Sequence, residues 1–367
     1  MSILFEKTGI NGVDLRNRFV RSATWEGMAT EEGAVTERLK QVMISLAKGG
    51  VGLIISGHSY VSRQGQAGPW QLGIYGDELV GGLREMTDAV HEKGGRIFMQ
   101  LAHAGLFAAI RLSGEIPLFV SDLKGFEDSP KKLITGADIK GLVSAFAEAA
   151  GRAKAAGFDG VQIHSGHGYL LSQFLSPIYN RRRDEYGGDI ENRVRIHLEI
   201  LRALRKEVGE KFPVMIKINC GDFAENGLSL DDSLRAALML EKEGLDGVEL
   251  TGGLVTGGRL SPSRPGIDSE GKEAYFKEEA AAFKKELGIP VILVGGIRSF
   301  NVAEHLVQEE GADHISMCRP FIREPDLINR WRSGDLRKAL CNSDNLCLSA
   351  GFRGDGVYCV SKEKERT

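Results

Sequence analysis

His164, His167 and Tyr169 stand close together in the stretch "IHSGHGYLLSQF", and their types and spacing could handle an oxygen and a proton. The preceding "FDGVQ" reads as a buried strand, so the cluster begins where a strand ends. Three chemistries compete for the histidine pair. A single histidine at a strand end often satisfies backbone groups or points to water. Metal ligation suits neutral imidazole, but it wants a third ligand and a hydrogen-bonded support. No HxH or HExxH pattern is present, which leaves His58 and His103 as further ligands. In the third reading both imidazoles donate to one substrate oxygen. Ser165-Gly166 turns the chain, and a helical turn then brings His167 round beside His164. Two donors converging on a carbonyl or phenolate oxygen stabilise negative charge developing there. Tyr169, with an ordinary pKa near about 10, is suited to deliver a proton nearby. Polarising an oxygen while protonating a carbon describes reduction of an activated double bond.

Such a cluster needs a scaffold, and the chain repeats one phrase: an amphipathic helix, a glycine, then a short apolar strand. It appears as "SLAKGGVGLIIS", "AVHEKGGRIFMQLA", "RAKAAGFDGVQIH", "LRKEVGEKFPVMIKIN", "LEKEGLDGVELTG", "FKKELGIPVILVGG" and "LVQEEGADHISMC". Strands without polar alternation are those buried on both faces of a parallel sheet. With "RFVRSAT" (18–24) as the first strand, eight βα units result, which point to an α/β fold of the (β/α)8 TIM-barrel class. No Gly-rich nucleotide fingerprint follows the first strand, as an open doubly wound sheet would usually require. The expected organisation is a barrel over residues 1–336 and a short C-terminal extension over 337–367. Active sites of such barrels sit at the C-terminal strand ends. Those ends read Thr24-Trp25, His58, Gln100 to His103, His164 to His167, Lys217 to Asn219, Thr251 to Gly253, Gly295-Gly296 and Cys318-Arg319.

Composition narrows the class further. A 42% hydrophobic and 26% charged chain of 367 residues has enough apolar matter for a large core. Its net charge of −3 gives no footprint for nucleic acid. The N-terminus lacks signal-peptide features, no apolar run is long enough for a bilayer, and five cysteines fit a reducing compartment. The expectation is a cytoplasmic enzyme acting on a small molecule, with no nucleic-acid or membrane partner.

The string "IHSGHGYLLSQFLSPIYNRRRDEYGGDIENRVR", with "NRFVRSAT", "GGVGLIISG", "QLAHAG" and "ISMCRPFIREPDL", closely resembles the Old Yellow Enzyme family. The resemblance runs over almost the whole chain. It implies a TIM barrel that binds FMN without a covalent link and takes electrons from NADH or NADPH. It further implies an ene-reductase acting on the C=C bond of α,β-unsaturated carbonyl compounds. An oxidase-type electron transfer without a dedicated enone is the alternative. Catalytic roles then fall to His164, His167 and Tyr169, with the histidines and Trp25 facing the substrate.

At the cofactor, Lys217 is the natural cation for the N1/O2 edge of the flavin, where relatives often carry arginine. Gln100 can donate and accept along the pyrimidine edge. Gly295-Gly296 and Arg319, beside Cys318, are placed at the phosphate. Ser22, Ala23, Thr24 and Trp25 correspond to the backbone along the flavin, with His58 as a supporting contact. His103 is not read as a catalyst. Leu106 stands near the mouth where many relatives have arginine. "NRRRDEYGGDIENRVR" is read as scaffold, with Asp189 suited to an N-cap.

"CNSDNLCLSAGFRGDGVYC" resembles the iron–sulfur motif of the larger dienoyl-CoA reductase and trimethylamine dehydrogenase branch. Cys341, Cys347 and Cys359 keep its spacing, but Asp344 replaces one cysteine. Four thiolates are the usual set, so a degenerate motif, no metal and a stand-alone barrel are expected.

Overall fold

The computed structural model describes residues 2–309 and 311–365. Eight parallel strands close into a barrel: β1 (Phe19–Arg21), β2 (Leu53–Tyr60), β3 (Ile97–Ala102), β4 (Gly160–Ser165), β5 (Val214–Asn219), β6 (Gly247–Thr251), β7 (Val291–Val294) and β8 (His314–Met317). Each pairs with its sequence neighbours, and β8 closes on β1 through Ile315 opposite Phe19. The expected (β/α)8 class is therefore the observed one. The main outer helices are α1 (Glu37–Lys48), α2 (Val80–His91), α3 (Gly136–Ala155), α4 (Arg195–Val208), α5 (Leu230–Lys242), α6 (Lys277–Glu286) and α7 (Phe300–Gln308). Among the described residues no helix is long and apolar enough to cross a membrane.

Sequence explains how these helices start and stop. The α3 N-terminus carries a capping box, in which the Thr135 hydroxyl accepts from the Asp138 amide and the Asp138 carboxylate accepts from the Thr135 amide. At its other end Gly157 takes a left-handed φ of 83°, which a side chain would resist, and redirects the chain into β4. Leu142, Phe146, Ala149 and Ala153 recur at helical spacing on the buried face of α3. Before β1, a hairpin (Thr8–Ile10 with Val13–Leu15) turns at Asn11-Gly12, both with positive φ, as a two-residue hairpin turn demands.

That hairpin caps the lower end of the barrel. Its Ile10 and Leu15 pack with Val20, Leu53, Ile55, Phe98, Met215 and Ile292, inward-facing side chains from five strands. Two residues further along three of those strands, Ser22, Gln100 and Lys217 point into the same interior. An apolar plug thus underlies a polar layer, and the polar layer is the floor of the site.

After β8 the chain continues through α8 (Arg319–Arg323), α9 (Leu327–Arg332), α10 (Leu346–Phe352) and α11 (Val360–Lys364). The segment after α9 is bound to the barrel top. The Ala339 amide donates to the Arg298 carbonyl (2.8 Å) and the Val357 amide to the Glu26 carbonyl (2.7 Å). Asp344 accepts from the Ser361 hydroxyl at 2.7 Å and from the Leu346 amide at 3.0 Å. The Cys359 thiol lies 3.7 Å from Nη1 of Arg323.

Candidate active site

Glu249 sits fully buried at the centre of the barrel, in a strand whose sequence reads as apolar. A carboxylate there costs several kcal/mol unless it is paired and fully hydrogen-bonded. It is both. Its Oε1 accepts from Ser22 Oγ (2.7 Å), Ser316 Oγ (2.8 Å) and Lys217 Nζ (3.1 Å), and its Oε2 from Gln162 Nε2 (2.8 Å). Burial pushes the Glu249 pKa up, but the Lys217 charge and the three neutral donors outweigh it and hold the group below the usual carboxylate range. Lys217 Nζ also donates to Ser22 Oγ at 2.6 Å, and Gln100 Nε2 donates to Gln162 Oε1 at 2.7 Å. Lys217 and Gln100 are therefore fixed from below by residues that a reading of motifs passes over.

Above this floor lies a trough with two lobes that share Ala23, His167 and Lys217. The inner lobe, about 130 Å³, is lined by Ser22, Gly296, Arg298, Ser316, Cys318 and Arg319 among others. Arg319 Nη1 is held by two neutral acceptors, the Arg264 carbonyl (3.0 Å) and Asn345 Oδ1 (2.7 Å), so they leave its charge uncancelled. Arg298 is partly offset by Glu273 at 3.7 Å. The outer lobe, about 290 Å³, is lined by Trp25, His58, Gln100, His164, Tyr169, Val255, Leu348 and Phe352, together with the shared residues and the Ala67–Pro69 turn.

The His164 and His167 rings are 5.1 Å apart between centroids and inclined at 68°, and the Tyr169 ring is 5.3 Å from His164. His58 completes the group, 5.5 Å from Tyr169 and 6.3 Å from His164. His167 Nε2 lies 2.8 Å from the Thr251 hydroxyl, and the His167 amide donates to Asn219 Oδ1 at 3.0 Å. His164 Nδ1 is buried and has no partner within the chain. Burial, the facing imidazoles and Lys217 keep the His164 pKa well below that of an ordinary imidazole; burial, Lys217 and His58 do the same for His167. Both rings are neutral at physiological pH. Burial pushes Tyr169 up to about 12, so its phenol keeps its proton.

His167 is not reached by a helical turn, as the spacing suggests. It adopts a left-handed φ of 66°, followed by Gly168 at 87°, and forms a bridge to Leu254 before a short helix starts at Leu170. A non-glycine residue in that region is strained and needs local support; Asn219 and Thr251 supply it. Of Thr24 and Trp25, Thr24 turns its side chain away from the trough. Its hydroxyl donates to the Ser22 carbonyl (3.0 Å) and lies 2.9 Å from Cys318 Sγ, and its side chain lines a separate cavity with Arg21 and Glu26. Trp25, the next residue, is the one that faces the trough. Gly296 lines the inner lobe while Gly295 stands behind it, against Tyr275 and Phe276. His103 Nδ1 accepts from the Gly105 amide at 3.0 Å while its Nε2 is buried without a partner, Leu106 is buried against Phe119 and Tyr179, and neither lines the trough. Asp189 occupies the N-cap of a short helix, Ile190–Arg193, without a side-chain cap bond. Arg298, Glu249, Gln162 and Ser316 were not anticipated at the site.

The donor set fits a flavin mononucleotide: arginines and serines at one end for a phosphate, and Lys217 with Gln100 at the other for a polar pyrimidine edge. Comparison with known proteins agrees. Residues 3–337 match the NADH:flavin oxidoreductase / NADH oxidase family. An "NADH oxidase" of Thermoanaerobacter brockii is 36% identical over 348 residues, covering 92% of this chain but 52% of that protein. The chain thus spans about half the length of that curated relative. A 2-naphthoyl-CoA reductase in complex with 2-naphthoyl-CoA superposes with a TM-score of 0.89 at 25% identity, over 98% of this chain and 56% of the other. An old yellow enzyme homologue from Zymomonas mobilis superposes at 0.77 with 28% identity, over 93% and 95%. The chain belongs to the NADH:flavin oxidoreductase / NADH oxidase family, the Old Yellow Enzyme family, with FMN as cofactor.

Proposed function

We propose that the chain is an NAD(P)H-dependent ene-reductase acting on the C=C bond of α,β-unsaturated carbonyl compounds. The observation that carries this reading is the convergence of His164, His167 and Tyr169 on the outer lobe, with the two imidazoles 5.1 Å apart and the Tyr169 ring 5.3 Å from His164. If His167 Nε2 accepts from the Thr251 hydroxyl, its proton would reside on Nδ1 and offer a donor beside His164.

Lys217 and Gln100 would hold the pyrimidine edge of FMN, and Arg319 with the backbone at Gly295-Gly296 its phosphate. Bound FMN supplies a hydride, obtained from NADH or NADPH, to an electron-poor alkene carbon. The neutral imidazoles of His164 and His167 orient the carbonyl and stabilise the enolate charge as it develops. Tyr169 holds the proton destined for the neighbouring carbon. Because both histidines are neutral, they polarise the oxygen without surrendering a proton to it.

Phenols imitate the enolate as anions. Adding 4-hydroxybenzaldehyde to the FMN-loaded protein should produce a long-wavelength absorption band, and the double variant His164→Ala/His167→Ala should weaken binding about tenfold to a hundredfold. Undiminished affinity in that variant would refute the assignment. A second reading, electron transfer to oxygen without an enone, draws on the oxidase name of the Thermoanaerobacter brockii relative. NAD(P)H consumption with an enone panel under nitrogen separates the two: turnover only in air favours the oxidase.

A further inference from the structure

Phe352 is the most exposed large apolar side chain of the described residues, at 73%, yet it lies at the mouth of the outer lobe. Val255, which lines the same lobe, is 48% exposed. Scattered exposed apolar residues are ordinary, but a contiguous apolar rim around a cavity marks a surface that something covers. The rim is also held in place. The Phe352 ring lies on Trp25 at 5.1 Å and 35°, and Trp25 is clamped on both sides by glycines. A Cβ on Gly351 would fall 2.9 Å from the indole, and one on Gly27 would fall 3.1 Å from it. A side chain at Gly351 would require a shift of the indole or its neighbours, and one at Gly27 would press on the indole.

The lobe is thus polar at one end and apolar at the other. Deep inside are the imidazoles, Tyr169 and Lys217; towards solvent are Trp25, Val255, Leu348 and Phe352. Among the described residues lining this lobe, Lys217 at the floor is the one charged side chain. Among the described residues lining the outer lips, none would greet a carboxylate, phosphate or ammonium group.

We propose that Trp25, Leu348 and Phe352 are specificity-determining residues, selecting uncharged enones that carry an aromatic or extended apolar group on the side remote from the carbonyl. This rests on the ene-reductase reading and names its substrate class. Two of the three residues belong to α10, so the segment after the barrel is part of the substrate site. The carbonyl end is gripped within the barrel, and the apolar end emerges across Phe352, where an aryl ring gains contact with two aromatic faces.

Dissociation constants of two phenols, read from the flavin absorption band, test it. One is 4-hydroxybenzaldehyde, which fills the deep end alone; the other is 4-phenylphenol, which also reaches the rim. In Leu348→Ala/Phe352→Ala the ratio of the 4-phenylphenol to the 4-hydroxybenzaldehyde constant should rise about tenfold over wild type, and Phe352→Trp should restore most of it. The ratio of kcat/KM for 4-phenyl-3-buten-2-one over 2-cyclohexenone should fall in parallel. A ratio unchanged in the double variant overturns the proposal while leaving the ene-reductase reading intact. Tight wild-type binding of a 4-phenylphenol bearing a 4′-carboxylate also overturns it. Failure of every phenol to bind wild type sinks both.

Discussion

At the floor of the trough, Glu249, Lys217, Gln162, Ser316 and Ser22 come from or next to five different strands, and Glu249 meets four polar partners within 3.1 Å. At the outer wall, Trp25, Leu348 and Phe352 meet through ring contact and shape, with no hydrogen bond to the Trp25 indole nitrogen. The floor is a closed electrostatic unit, in which each member's removal leaves another stranded away from water. The wall is an apolar surface that can be trimmed in steps. A polar network buried in low dielectric fixes one geometry, whereas van der Waals contacts at a rim tolerate substitution, which is where substrate range can vary.

The contrast is most easily broken at Lys217. Lys217→Met strands the Glu249 carboxylate inside the barrel and should destabilise the apoprotein by about 3–5 kcal/mol, measured by urea denaturation. An effect below about 1 kcal/mol would mean that the floor is not the unit described.

Acid should also attack the barrel rather than the wall. Six of the eight histidines have pKa values lowered by burial: His58 and His314 to about 4, His103 and His197 to about 3, and His164 and His167 well below 6.5. All six lie in the barrel. Between those values and 6.5 the unfolded chain binds more protons than the folded one, so stability is full above about 6.5 and is lost as pH falls towards about 4 and below. The urea midpoint should therefore drop between pH 7 and pH 5; an unchanged midpoint contradicts the burial of these rings.

Smaller effects sharpen the comparison. Gly351→Ala should cost about 1–3 kcal/mol through overpacking against Trp25 and Val357, with a blue or red shift of tryptophan fluorescence but an intact phenol site. Thr251→Val removes the partner of His167 Nε2 and should weaken 4-hydroxybenzaldehyde binding about fivefold, or about 1 kcal/mol, without altering thermal stability comparably.

The sequence makes some of this legible and hides the rest for physical reasons. The helix–glycine–strand phrase repeats because each crossover meets the same geometric demand, so seven of the eight strands can be found from it, and β1 is added from "RFVRSAT". His164, His167 and Tyr169 advertise themselves because they interrupt an apolar run at a strand end. Glu249 and Gln162 do not, although "GVELTGG" and "GVQIH" carry a signal. A charged or amide side chain in the middle of a strand buried on both faces demands a partner, and Lys217 in "VMIKIN" raises the same demand with the opposite sign. The Asn11-Gly12 hairpin is readable from its dipeptide alone. Which of Thr24 and Trp25 faces the trough is not readable, since it depends on the left-over twist after β1 and on α10, far away in sequence. The left-handed His167 is hidden too, because glycines on either side permit several turns.

The contact between Trp25 and Phe352 joins segments from near the two ends of the chain. At a synthesis rate of about 5–20 residues per second, Trp25 emerges tens of seconds before the ring that covers it. Ser316, the last contributor to the Glu249 network, is made before α10. A nascent chain can therefore neutralise its central carboxylate while one flank of the indole still faces water, so the outer wall of the trough is assembled after its floor.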